Sequence, residues 1–217
     1  MPAAIHNQFE FEAALWSAGL LRVAGVDEAG RGPLAGPVVA AAVVFPRTWL
    51  ASNLPAELRG LNDSKQLTES RREEFFAVLM RLPEIQFAIA SVDAATIDQI
   101  NILQATHRAM NESLSQLAPA PEHALVDGTR VKSLRFPHTA IVKGDARSYS
   151  IAAASVLAKV TRDREAAEWD QRWPEYGFAA HKGYGTPQHL EAIRQHGPCP
   201  IHRRSFAPIK PVQPQLI

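Results

Sequence analysis

The chain has 217 residues, 46% hydrophobic and 21% charged, with a formal net charge of +1. That composition excludes a disordered or low-complexity protein and suits one sizeable core with an appendage. The charge is unevenly spread: residues 192–217 carry Arg194, Arg203, Arg204 and Lys210 with no acidic residue, leaving 19 basic against 22 acidic residues in 1–191.

In chain order, 7–21 carries an apolar helical stripe (Phe9, Phe11, Leu15, Trp16, Leu20). Residues 22–26 and 37–45 read as two strands joined by the glycine- and proline-rich turn 27–36, a hairpin-like pair with the glycine loop at its mouth. Thr68 caps a helix that runs until Pro83. A third strand is expected over 85–92, a helix over 94–117, and short strands over 123–126 and 139–142. A long helix over 149–173 has an apolar, buried first half and a charged second half expected to be exposed. Residues 174–185 read as an aromatic, glycine-rich loop. Thr186-Pro187 starts a last helix that ends at about His196.

Cys199 is the only cysteine, so no intrachain disulfide can form and a reducing cytoplasm is the expected compartment. Met1 to Phe11 has no export-signal pattern, and the longest apolar run, 38–45, is far short of the ~20 residues a membrane span needs. No long apolar stripe is left over for a second subunit, so a monomer is expected.

Chemistry concentrates at strand ends. Asp27 and Glu28 follow the first strand, Asp127-Gly128 the fourth and Lys143-Gly144-Asp145 the fifth, where α/β sheets place ligand-binding groups. Hard oxygen donors in a cluster suit Mg²⁺ or Mn²⁺, and two such ions can cleave a phosphodiester. A single Asp before Gly is ordinarily a turn or cap residue, but four carboxylates in that position are not explained that way. Neighbours in a regular strand point to opposite faces, so Asp27 and Glu28 reach one site only if the chain turns at Ala29-Gly30. Asp63, Asp93 and Asp98 lack the strand-end context.

The sequence resembles the ribonucleases HII. The resemblance is carried by Asp27-Glu28-Ala29-Gly30-Arg31-Gly32-Pro33, Asp63-Ser64-Lys65, Asn101-Ile102-Leu103-Gln104-Ala105-Thr106, Val126-Asp127-Gly128, Lys143-Gly144-Asp145, Ser150 through Asp163, His181-Lys182-Gly183-Tyr184-Gly185-Thr186 and His202-Arg203-Arg204-Ser205-Phe206. These ordered segments span roughly 22–210. The resemblance implies an RNase H-like α/β fold: a mixed five-stranded sheet flanked by helices over 1–185, with 186–217 as a helical, basic C-terminal extension of the same folding unit. It implies endonucleolytic cleavage of RNA in RNA/DNA hybrids. It also implies incision 5′ of a single ribonucleotide embedded in duplex DNA, leaving 3′-hydroxyl and 5′-phosphate ends.

By the same resemblance Asp27, Glu28, Asp127 and Asp145 hold the divalent metals, the Gly30-Arg31-Gly32 loop contacts the ribose 2′-hydroxyl, and Tyr184 packs on the neighbouring sugar. Without it, Arg31 reads as a partner for a sheet-edge carboxylate and Tyr184 as an aromatic beside Trp173 and Tyr176. Lys65, Lys143, Lys182, Arg203 and Arg204 are candidate phosphate contacts. His196, Cys199 and His202 have spacing that invites zinc, yet supply only three ligands with two prolines between them. Ser64 and Ser148 form no nucleophile–base pair. Residues 213–217 resemble short tails that bind replication clamps, although a frayed terminus is the simpler reading. Two other functions remain open at this point: a non-catalytic nucleic-acid-binding module, and a DNA-only nuclease of the same fold.

Overall fold

The computed structural model describes residues 8–52 and 54–210. Five strands form one sheet in the order β3-β2-β1-β4-β5: β1 (Val23–Ala29), β2 (Val38–Val44), β3 (Gln86–Val92), β4 (His123–Asp127) and β5 (His138–Ile141). β2 runs antiparallel to β1 and β3, whereas β1, β4 and β5 are parallel. The expected mixed five-stranded sheet is present, and its parallel half collects three strand ends at one edge.

Helices cover both faces: α1 (Glu10–Ser17), α2 (Trp49–Ser52), α3 (Glu69–Arg81), α4 (Ala94–Gln116), α5 (Tyr149–Arg172), α6 (Phe178–His181) and α7 (Pro187–His196). β2 is Val-Val-Ala-Ala-Ala-Val-Val and is buried throughout, as a strand covered on both faces must be. Val39, Ala41 and Val43 pack with α5 and α3, while Val38, Ala40 and Ala42 pack with α4. Gly25 on β1 sits where a Cβ would run into the backbone of Ser150 and Ile151. That missing side chain lets the start of α5 lie directly on the strand bearing Asp27.

Two caps match the sequence reading: Thr68 and Thr186 accept from the N–H groups of Arg71 and His189. Ser148, which the sequence reading did not assign as a cap, accepts from Ile151 N–H. Four expectations need correction. β1 does not stop at Val26 but continues through both carboxylates to Ala29. The 94–117 helix is interrupted at Asn101 (φ 66°), whose side chain accepts from Gln104 N–H at 3.1 Å and starts the helix again. The second half of α5 is not all exposed: Arg162 is 1% exposed and Ala166 is fully buried. The 174–185 loop contains α6. A third apolar cluster (Ala35, Tyr176, Phe178, Ala192, Cys199) ties α6 and α7 to the glycine turn. Among the described residues no helix is long and apolar enough to cross a membrane.

Candidate active site

Three parallel strands deliver three carboxylates. Asp27 stands near the end of β1, Asp127 ends β4, and Asp145 follows β5 on a short 3₁₀ turn. Lys143 adopts a left-handed conformation (φ 56°), which reverses the chain so that Gly144 N–H donates to Asp127 Oδ1 at 2.7 Å. Carboxylate oxygens of Asp27, Asp127 and Asp145 lie within 4.8 Å of one another, the one such grouping of three or more acidic, His or Cys residues among those described.

The electrostatics follow from that crowding. Burial first, then the charges of Glu28 and Asp127, hold Asp27 well above the usual carboxylate range. Asp145 is pushed up to about 6 by burial and by Asp127 and Asp63. Like charges packed out of water need a cation or a proton. The donor set, all oxygen and all anionic, fits a hard divalent metal.

Glu28 is not in that group. β1 stays extended through Ala29 and the chain turns at Gly30 (φ 95°), and Glu28 lines one cleft with Asp127. Its carboxylate pairs with Arg31 Nη1 at 3.1 Å. Burial still raises its pKa, against the Arg31 cation, which lowers it. The Glu28–Arg31 pair stands between two clefts. One, of about 360 Å³, is lined by Gly30, Gly32, Lys65, Arg162 and Tyr184. The other, of about 650 Å³, is lined by Gln104, His107, Asp127, Arg130 and Lys132.

Tyr184 is 47% exposed and faces Gly32, where a Cβ would sit 3.5 Å from its ring. It makes no ring–ring contact among the described residues; the buried aromatic pair in this region is Tyr176 with Phe178. The N–H groups of Arg31 and Gly32 have no acceptor among the described residues. Gly30 (φ +95°) leaves no room for a Cβ against the Arg162 side chain. Lys65 Nζ lies 3.9 Å from Asp145 Oδ2. Burial pulls its pKa down, but Asp27, Asp63 and Asp145 more than offset this and leave it raised. Lys143 shares a cleft with Asp63, Asp127 and Asp145.

Arg203 is a correction. It is fully buried and donates to the carbonyls of Gly30, Arg31, Gly36 and Pro37, so it meets no phosphate. The zinc spacing also dissolves: His202 Nδ1 accepts from Cys199 N–H at 2.9 Å, and His196 is exposed on α7. Sequence reasoning passed over Asp63 and Arg162. Arg162 donates to the carbonyls of Ala35 and Lys182; buried Ala158 and Ala166, one helical turn to either side, are the signal that could have placed it inside.

A family model described as Ribonuclease HII matches residues 24–209. The chain belongs to the ribonuclease HII family. Ribonuclease HII of Geobacillus kaustophilus is 54% identical over 93% of this chain and 74% of its own. Among solved structures, ribonuclease H2 from Pyrococcus horikoshii superposes with a TM-score of 0.72 at 31% identity, covering 87% of this chain and 95% of that one. RNase HII of Archaeoglobus fulgidus, solved in complex with PCNA, gives 0.69 at 27% identity, over 90% and 98%. Bst-RNase HIII, solved with Mn²⁺, shares the fold at 23% identity and a TM-score of 0.68, over 97% and 72%. As a ribonuclease H this chain is an endonuclease that hydrolyses RNA in RNA/DNA hybrids.

Proposed function

We propose that this ribonuclease HII incises on the 5′ side of single ribonucleotides embedded in duplex DNA, leaving 3′-hydroxyl and 5′-phosphate ends. The observation that carries this is the pairing of the acidic cluster with the cleft between the Gly30-Arg31-Gly32 backbone and the exposed Tyr184 ring. A 2′-hydroxyl is what separates ribose from deoxyribose at one nucleotide, and the acceptor-free N–H groups of Arg31 and Gly32 suit its recognition. Tyr184, with an open face, suits stacking on a sugar or base.

In this reading Asp27, Asp127 and Asp145 hold Mg²⁺ or Mn²⁺, and Glu28 completes the set once its carboxylate leaves Arg31. When bound there, such ions would supply the activation of a water and the stabilisation of the leaving oxygen. Lys65 and Lys143 contact the substrate backbone beside the carboxylates. Residues 186–217 act as a C-terminal extension of the same folding unit, and the protein works as a cytoplasmic monomer. The tail 213–217, which lies outside the described residues, is assigned as a weak clamp tether; the PCNA complex of the A. fulgidus relative supports that assignment.

The test is a labelled DNA duplex containing one ribonucleotide, incubated with Mg²⁺, Mn²⁺ or EDTA. The expected result is a metal-dependent cut 5′ of that residue with a 3′-hydroxyl end. An intact duplex under both metals refutes the reading.

A further inference from the structure

Three buried histidines stand behind the Tyr184 loop: His181 (8% exposed), His189 (0%) and His202 (1%). Their hydrogen bonds fix which nitrogen carries each proton. Cys199 N–H donates to His202 Nδ1 at 2.9 Å, so the His202 proton is on Nε2. That atom lies 3.0 Å from His189 Nε2, which must accept, so the His189 proton is on Nδ1. His189 Nδ1 in turn is 2.9 Å from the carbonyl oxygen of Tyr184. Burial pulls both pKa values down, that of His202 to about 4, so both rings are neutral at pH 7.

The loop they hold is left-handed at Lys182 (φ 52°) and Gly183 (φ 81°), and its polar groups are tied one by one. The Lys182 carbonyl accepts from Arg162 and the Gly183 carbonyl from Leu34 N–H. Gly183 N–H donates to His181 Nδ1 at 3.1 Å. No ring packs on Tyr184 among the described residues, so its backbone anchors set where the ring stands. The other wall of the cleft is anchored one residue along the chain, because Arg203, next to His202, grips the carbonyls of Gly30 and Arg31.

We propose that His189 and His202 are positioning residues that hold the Tyr184 backbone at a fixed distance from the Gly30-Arg31-Gly32 loop, and so set how well the cleft grips the sugar of the ribonucleotide. The inference rests on the proposed role of Tyr184. A dense network of buried neutral imidazoles rigidifies a site only if every member is satisfied. A misplacement of about 1 Å in a positioning group costs up to about 100-fold in rate.

The test uses the full chain with two substrates, the single-ribonucleotide duplex and an RNA/DNA hybrid, and compares His189→Leu, His189→Asn, Tyr184→Ala and the His189→Leu/Tyr184→Ala double variant. Asn places an amide donor where His Nδ1 stands. The proposal expects His189→Leu to lower kcat about 10- to 100-fold with KM little changed, and His189→Asn to recover most of it. In the Tyr184→Ala background His189→Leu should cost nothing more, because the two act through one contact. Should His189→Leu fail to fold, His189→Gln, which keeps a polar side chain but loses the Nδ1 donor, takes its place. Wild-type kcat in the variant overturns the proposal. So does a loss that persists in full on Tyr184→Ala, which marks general damage. A wild-type protein that cuts the hybrid and spares the single-ribonucleotide duplex instead refutes the functional reading, and the hybrid arm still reads the effect of His189 on Tyr184.

Discussion

Asp27 and Glu28 adjoin in the chain yet have different partners, Asp27 4% exposed in a cluster with Asp127 and Asp145, Glu28 held 3.1 Å from Arg31. The strand runs on to Ala29 before the chain turns at Gly30. Asp27 is fixed within the cluster, and Glu28 is held back by a partly exposed ion pair of modest strength.

Asp27→Asn or Asp145→Asn is expected to lower incision roughly a thousandfold, the loss of several kcal/mol of charge stabilisation. The metal-free protein should be no less stable at pH 8, because neutralising one member relieves like-charge repulsion. Incision rates and urea unfolding in EDTA check both halves, and an unchanged rate removes that residue from the metal site.

The acidic cluster also sets a pH dependence. Asp145 titrates near 6 in the folded state against an ordinary 3.8, so the folded protein keeps a proton that the unfolded chain releases. That stabilisation is complete below about pH 4 and is lost as pH rises through about 6. In EDTA the wild type should therefore lose stability relative to Asp145→Asn between pH 4.5 and 7. A difference that stays flat over this range contradicts the assignment.

Gly25→Ala is expected to cost more than about 3 kcal/mol, beyond ordinary overpacking, because the new methyl meets the α5 backbone at Ser150 and Ile151 rather than a side chain that can move. Activity should fall as well, since α5 and Asp27 are displaced together. Urea unfolding at fixed pH measures the first effect. A loss under about 1 kcal/mol would mean that α5 can slide off the strand freely.

Arg203→Met is expected to destabilise by about 3 kcal/mol or more, since four carbonyls lose their donor at once. Arg203→Lys should recover little, because an ammonium cannot reproduce the planar fork. Duplex binding should keep its wild-type salt dependence in any folded Arg203 variant. A shallower salt slope would return Arg203 to the phosphate contacts.

What the sequence makes legible is local. Thr68 and Thr186 cap helices through neighbours three residues away, and the carboxylates announce themselves by following apolar runs. What it hides depends on distant partners or on backbone shape. Arg203 reads as surface charge until Gly30, 173 residues away, supplies a carbonyl. His189 and His202 take their meaning from Tyr184 and Cys199, and the break at Asn101 lies inside an unbroken helical pattern. Whether β1 ends at Val26 or Ala29 is a boundary that apolar patterning leaves loose by a few residues.

The central claim is that the acidic cluster cuts where the Gly30-Arg31-Gly32 backbone and Tyr184 find a 2′-hydroxyl. Its most direct test is the rate of incision, in Mg²⁺ or Mn²⁺, of two DNA duplexes identical except for that one hydroxyl. The account expects the ribonucleotide-containing duplex to be cut on the 5′ side of that residue and the all-DNA duplex to stay whole. Equal cutting of both, or of neither, would contradict it.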